Sequence, residues 1–134
     1  MKTLIIRWQR LLDEQQQTCP RCAATGDAVQ EAANLLQAAL QPLGIAVQAE
    51  KQALERKAFA AAPLESNRVW IGGKPLEHWV GAEVGQSPCC DACGDADCRT
   101  VTVGSAQYEA LPSWLIVRAG LLAAADLMGA PDHA

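Results

Sequence analysis

Positive charge is scarce in this sequence, where 11 Lys and Arg stand against 15 Asp and Glu and the formal net charge is −4. Such a chain offers no basic surface to nucleic acid or to anionic lipid. Uninterrupted apolar runs are also missing: Arg7 and Arg10 break the first, and Arg118 and Asp126 lie inside the longest, at 111–130. We therefore expect no signal peptide, no membrane or nucleic-acid partner, and a cytoplasmic location.

The sequence also contains no phosphate-binding loop, no glycine-rich dinucleotide fingerprint and no Ser-His-Asp order, which disfavours nucleotide-binding proteins and hydrolases. With 134 residues, 50% of them hydrophobic, the chain has the size and composition of one domain, 1–134. What it does have is six cysteines. In a chain expected in the cytoplasm, cysteines are more often catalytic or metal-binding than joined in structural disulfides.

Hydrophobic periodicity predicts alternating strands and helices. Apolar residues spaced by three or four positions from 27 to 40 indicate a helix, which can begin as early as Pro20, and Gly72-Gly73 indicates a tight turn between two strands. In chain order, we predict a strand at 3–8, a helix ending at 40, a strand at 45–47, a helix through 54, 58 and 61, strands at 68–71 and 74–79, a cysteine-rich loop insertion at 83–107, and a helix at 112–128.

Cys19 and Cys22 form a C-x-x-C motif, TCPRC at 18–22, where the first strand gives way to the first helix. Pro20 suits the first helical position, because its missing N–H would be unpaired there anyway. The helix N-terminus and the full charge of Arg21 favour the thiolate of Cys19. We expect Cys19 to attack a substrate disulfide and Cys22 to resolve the mixed disulfide. Alternatively, the pair is half of a zinc site.

With this motif in the order β-α-β-α-β-β-α, in which a cysteine-rich loop precedes the last helix, the chain resembles the α/β thioredoxin-like superfamily. Within that superfamily it is most similar to a bacterial family known only as a domain of unknown function. The closer resemblance rests on TCPRC (18–22), PLGI (42–45), SNRVWIGGKPLEHWVGA (66–82), SPCCDACGDADCRT (87–100) and YEALPSWLIVRAGLLAA (108–124). It implies a thioredoxin-like fold and no established activity.

One departure from the resemblance concerns the residues that face the C-x-x-C motif. Thioredoxins carry a cis-proline just before the third core strand, whereas this chain has Ser66, Asn67 and Arg68 there. We therefore expect Ser66 and Asn67 to support the cysteine pair in place of the proline. Since that proline keeps metal off the thiols, its absence makes metal or metalloid binding at Cys19 and Cys22 easier.

A second cluster consists of Cys89, Cys90, Cys93 and Cys98. Four thiolates can surround one zinc ion tetrahedrally, and Arg99 can offset part of their negative charge. Iron-sulfur clusters also accept four cysteines, although this spacing matches neither common ferredoxin pattern. If the segment oxidises, Cys90–Cys93 or Cys89–Cys98 are the favoured pairs, because adjacent cysteines cannot easily share a disulfide.

The thioredoxin arrangement places the loop after the fourth strand at the same end as the C-x-x-C motif, so we expect the second cluster near Cys19.

The first functional hypothesis is a thiol-disulfide oxidoreductase with a protein or small-molecule thiol or disulfide partner, in which the second cluster is a relay or a structural brace. The second is a binding protein for Zn, Hg, As or Cu that uses cysteines of both motifs. A silent interaction module is the third. His78, on the predicted strand at 74–79, is a further candidate metal ligand or acid-base group.

Overall fold

The computed structural model describes residues 2–12, 20–88 and 97–129. Within these ranges the chain has a mixed α/β fold with two sheets and four α-helices. The elements are β1 (Lys2–Leu11), α1 (Pro20–Leu40), β2 (Ile45–Leu54), α2 (Arg56–Ala61), β3 (Arg68–Ile71), β4 (Lys74–Pro75), α3 (Leu76–Val80), β5 (Glu83–Pro88), β6 (Asp97–Val103), β7 (Ala106–Tyr108) and α4 (Ser113–Met128). Single 3₁₀ turns at Gln41–Leu43 and Pro63–Glu65 lie before β2 and β3.

The first sheet has the strand order β2-β1-β3-β4. β1 and β2 are parallel and pair along their whole length, from Lys2 opposite Ile45 to Leu11 opposite Leu54. β3 is antiparallel both to β1 and to β4. Parallel neighbours need a crossover connection, and α1 lies in the one between β1 and β2.

The core lies between the first sheet and the helices α1 and α4. In β1, Leu4, Ile6 and Trp8 are buried at every second position, as the period of a strand requires. α1 and α4 pack on each other, and Gly120 of α4 leaves room for Leu36 of α1, since a Cβ at 120 would collide with the leucine methyl groups. In the part of the chain that the structure describes, no helix combines the length and apolar character that crossing a bilayer requires.

Proline and glycine mark the boundaries that the sequence predicts. α1 begins at Pro20, the earlier of its two possible starts, and ends at Leu40. Gly44, with φ +74°, takes the left-handed conformation that closes the following turn. Gly72 and Gly73 have φ +61° and +83°, so the predicted turn between β3 and β4 is confirmed.

The helix predicted through Leu54, Ala58 and Ala61 is wrong in its first part. β2 continues to Leu54, and α2 covers only Arg56–Ala61. Most side chains of β2 are exposed, so its sequence shows no alternation of apolar residues. Pairing with β1 along its whole length satisfies the backbone groups on one side of the strand, and this outweighs the helix propensity of the residues at 48–54.

The strand predicted at 74–79 is wrong after its second residue. β4 ends at Pro75, and α3 begins at Leu76. Leu76 and Val80 are both buried, which is the spacing of one helix face, and the Trp79 indole donates a hydrogen bond to the Ile71 carbonyl (2.7 Å). β4 forms one edge of its sheet, where Pro75, which has no N–H to donate, is tolerated.

The loop predicted at 83–107 is largely a second sheet, with the strand order β5-β6-β7. β5 and β6 are antiparallel, from Glu83 opposite Thr102 to Pro88 opposite Asp97. The β-branched run at 100–103 favours a strand, but the cysteines and glycines around it hide the pattern. Residues 89–96 lie outside the described residues.

Candidate functional site

Cys22 lies in the first turn of α1 and is only 1% exposed. Its sulfur is 3.7 Å from the hydroxyl oxygen of Ser66, and either atom can be the donor. Ser66 is fully buried, and its Oγ accepts a hydrogen bond from the backbone N–H of Leu11 (2.9 Å), the last residue of β1. Ser66, in the segment before β3, therefore links the sulfur of Cys22 to the end of β1. Cys19 lies outside the described residues.

Asn67 follows Ser66 in a left-handed conformation, with φ +61°. Among the described residues it is the only one other than glycine with a positive φ, and asparagine tolerates this region better than most residues. Its Nδ2 donates a hydrogen bond to the Glu109 carbonyl (3.2 Å). The described ranges contain no cis peptide bond, so Asn67 turns the chain by its φ angle and not by a cis peptide.

Arg10 interacts electrostatically with Cys22 and is a site residue that the sequence motifs did not identify. Burial lowers the pKa of Arg10, while the negative charge of a Cys22 thiolate raises it. The guanidinium lies over the ring of Trp8, 4.9 Å from its centroid. Trp8 in turn packs on Gly26 of α1, where a Cβ would lie 2.6 Å from the indole Cζ3. A basic residue near the end of the strand that leads to the C-x-x-C motif is the signal that could have identified Arg10.

Arg21, the third residue of the motif, donates hydrogen bonds to four backbone carbonyls. Its Nη2 contacts the oxygens of Arg99 (2.7 Å) and Cys98 (3.3 Å), its Nη1 that of Pro88 (3.3 Å) and its Nε that of Glu109 (3.0 Å). One guanidinium therefore joins the start of α1 to the end of β5, the start of β6 and the segment after β7. The predicted effect of Arg21 on Cys19 lies outside the described residues.

The second cysteine cluster is described only at Cys98. This residue is fully buried near the start of β6 and is disulfide-bonded. Cys89, Cys90 and Cys93 lie outside the described residues, so the predicted pairings and the predicted zinc site are not tested. Because Pro88 and Cys98 both contact Arg21, the two described ends of the cysteine segment lie beside the C-x-x-C motif.

The comparisons with known proteins give a family and no activity. Residues 4–120 match a domain of unknown function, DUF2703. The chain belongs to the DUF2703 family. An uncharacterised protein of Archaeoglobus fulgidus is 44% identical to it over 113 residues, which cover 84% of this chain and 82% of the archaeal one. No solved structure matches the chain.

Arg99 has a different role in this DUF2703 domain from the predicted one. We expected it to offset the charge of a four-thiolate site, but it is buried and its Nη2 donates to the Glu77 carboxylate. Its Nη1 donates to the Leu64 carbonyl (2.9 Å). Burial lowers the pKa of Arg99, and Glu77 opposes this effect. The positive charge of Arg99 is paired with Glu77. Through these contacts Arg99 links the second sheet to α3 and to the turn before β3.

His78 of this DUF2703 domain lies on α3 and not on the predicted strand. Its ring meets Trp79 edge to face, with 5.2 Å between the centroids. Within 2–12, 20–88 and 97–129, no three His, Cys, Asp or Glu side chains come together as metal ligands.

Thr25 is a further residue that the sequence did not identify. It is fully buried, and its hydroxyl accepts a hydrogen bond from the Leu111 N–H (3.1 Å), which links α1 to the segment before α4.

Proposed function

We propose that this DUF2703 protein carries out thiol-disulfide exchange through Cys19 and Cys22 on a thioredoxin-like fold. The element order supports the fold assignment: a parallel β1-α1-β2 unit is followed by the antiparallel pair β3 and β4, and α4 returns to pack on α1. The predicted C-x-x-C motif spans the start of α1, where such a fold carries its reactive thiols.

The observation that carries the proposal is the position of Cys22. Its sulfur is buried in the first turn of α1 beside the Ser66 hydroxyl, while Cys19 directly precedes the first helical residue, Pro20. A buried second cysteine, three residues after a first one that precedes the helix in sequence, suits the resolution of mixed disulfides. Ser66 and Asn67 occupy the place where thioredoxins carry a cis-proline.

The exchange proceeds in two balanced steps. The Cys19 thiolate attacks a disulfide R–S–S–R′, which forms a Cys19–S–S–R bond and releases R′S⁻. The Cys22 thiolate then attacks the Cys19 sulfur, forms the Cys19–Cys22 disulfide and releases RS⁻. The substrate disulfide is reduced by two electrons and the cysteine pair is oxidised, and a cellular dithiol returns the pair to its reduced state.

Replacing Cys22 by Ser is expected to trap the first intermediate. Incubated with oxidised glutathione, the reduced Cys22→Ser protein should gain one glutathione on Cys19, detected by mass spectrometry and localised by peptide mapping. Wild-type protein should instead end with a Cys19–Cys22 disulfide, and the matched Cys19→Ser protein should carry no glutathione at position 22, because Cys22 is buried. Absence of the adduct on Cys19 would count against the proposal.

A second candidate function is binding of a soft metal or metalloid ion, with Zn, Hg, As and Cu as the ions considered. The observation that favours it is the contact of Arg21 with the carbonyls of Pro88 and Cys98, which holds both ends of the cysteine segment beside Cys22. Thiolates are the ligands that such ions prefer.

Metal binding predicts a mass excess in a native mass spectrum of protein purified without oxygen. Loss of that excess in Cys89→Ser or Cys90→Ser would assign it to the second cluster. A metal-free spectrum short of two or four protons would show disulfides instead and would leave thiol exchange as the better proposal.

A further inference from the structure

The segment before β3 supplies a hydroxyl group at the sulfur of Cys22. Ser66 is fully buried, and its Oγ lies 3.7 Å from Cys22 Sγ, within the range of a hydrogen bond to sulfur. The two residues are 44 positions apart in the sequence, so the fold and not the chain brings them together.

The hydrogen of this hydroxyl is available to the sulfur. Ser66 Oγ accepts the backbone N–H of Leu11 at 2.9 Å, so one lone pair of the oxygen is used and its single hydrogen can point to the sulfur. Once Cys22 is a thiolate, the sulfur can only accept, and Ser66 must be the donor. A hydrogen bond from a hydroxyl to an ionised acceptor is stronger than one to the neutral thiol.

The charged surroundings of Cys22 act in the same direction. On β1, Arg10 interacts electrostatically with Cys22. On α1, Arg21 directs its guanidinium at backbone carbonyls, including that of Cys98 on β6. Cys98 is disulfide-bonded and does not titrate. The charge of Arg10 and the Ser66 hydroxyl both favour the thiolate, and burial of Cys22 opposes it.

We propose that Ser66 is the positioning residue that donates a hydrogen bond to the Cys22 thiolate and so sets the pH at which Cys22 resolves a mixed disulfide. The kinetic part rests on the proposed function, whereas the ionisation part concerns the free protein. The hydroxyl acts on the second exchange step: the thiolate it stabilises attacks the Cys19 sulfur, and the bond to the substrate sulfur breaks.

Replacing Ser66 by Ala should shift the ionisation midpoint of Cys22 upward by about one pH unit, the equivalent of a hydrogen bond to a charged group. The midpoint is measured by NMR of ¹³Cβ-labelled cysteine in reduced protein without substrate. Ser66→Thr is the conservative variant, because it keeps the hydroxyl and should restore the wild-type midpoint. If the added methyl group prevents folding of Ser66→Thr, the Ala variant alone decides the proposal. An unchanged midpoint in folded Ser66→Ala would overturn it.

The rate of resolution gives an independent readout. Protein carrying glutathione on Cys19 is prepared at low pH and moved to each test pH, and glutathione release is followed. A one-unit upward shift lowers the thiolate fraction about tenfold below the midpoint, but each thiolate becomes about threefold more nucleophilic, so release should slow only about threefold.

At a pH above both midpoints, the Ala variant should release glutathione about threefold faster than wild type, so the two pH profiles should cross. A role of Ser66 in stability alone would lower the melting temperature without such a crossing, and parallel profiles would contradict the proposal. If instead no glutathione adduct forms on Cys19 at any pH, the proposed function fails, while the NMR titration still decides the role of Ser66.

Discussion

Replacing Glu77 by Ala is expected to lower the free energy of unfolding by about 3–5 kcal/mol, because the guanidinium of Arg99 would stay buried without its counter-charge. Arg99 is 6% exposed and donates to the Glu77 carboxylate and to the Leu64 carbonyl. Glu77 also lies 4.0 Å from Arg68, which keeps its own ion pair with Glu65 (2.7 Å) when Glu77 is removed. Folded domains are stable by only about 5–15 kcal/mol, so the change should remove a large part of the total.

Three further variants make the effect of Glu77 interpretable in urea unfolding. Glu83→Ala is the matched control, since Glu83 is exposed on β5, and it should change stability by less than about 0.5 kcal/mol. Glu77→Gln keeps a hydrogen-bond acceptor and should lose less than the Ala variant. Combining Glu77→Ala with Arg99→Met should recover much of the loss, because no unpaired charge remains buried. A loss below about 1 kcal/mol for Glu77→Ala would contradict the buried ion pair.

Local signals were sufficient to predict the elements with a strong periodic pattern or a clear terminus. The start of α1 follows from Pro20, and the turn between β3 and β4 follows from Gly72-Gly73. β2 beyond Val47 could not be read in this way, because it is held by pairing with β1 and exposes most of its side chains. α3 was missed because five residues are too few to show a helical period against the strand-like run LEHWV.

The candidate site was predictable where it is local and hidden where it depends on tertiary contacts. The C-x-x-C motif and its place at a helix start are properties of consecutive residues. The contact of Cys22 with Ser66 and the pairing of Arg99 with Glu77 join residues 44 and 22 positions apart. Sequence alone identified Ser66 as a supporting residue by its position before β3, but gave no reason to expect its hydroxyl at the sulfur.

Replacing Arg21 by Ala should loosen the second sheet from the start of α1. The variant loses hydrogen bonds to the carbonyls of Pro88, Cys98, Arg99 and Glu109. A hydrogen bond from a charged group contributes about 1.5–3 kcal/mol when buried. Because Arg21 is partly exposed, water replaces part of each bond, and we expect a total loss of about 2 kcal/mol.

The strands that lose stability in Arg21→Ala distinguish Arg21 from an ordinary surface arginine. Backbone amides of β5 and β6 should exchange with deuterium faster in Arg21→Ala, while those of β1 keep their protection. Arg118→Ala on the exposed side of α4 is the matched control and should leave both strands unchanged. Arg21→Lys keeps the charge but not the planar set of donors, so amide exchange in β5 and β6 of this variant should be intermediate.

Unchanged exchange in β5 and β6 would show that Arg99 and Glu77 hold the second sheet without help from Arg21. Faster exchange there, with the ionisation of Cys22 unaltered, would show that Arg21 serves the position of the cysteine segment and Ser66 the reactivity of the thiol.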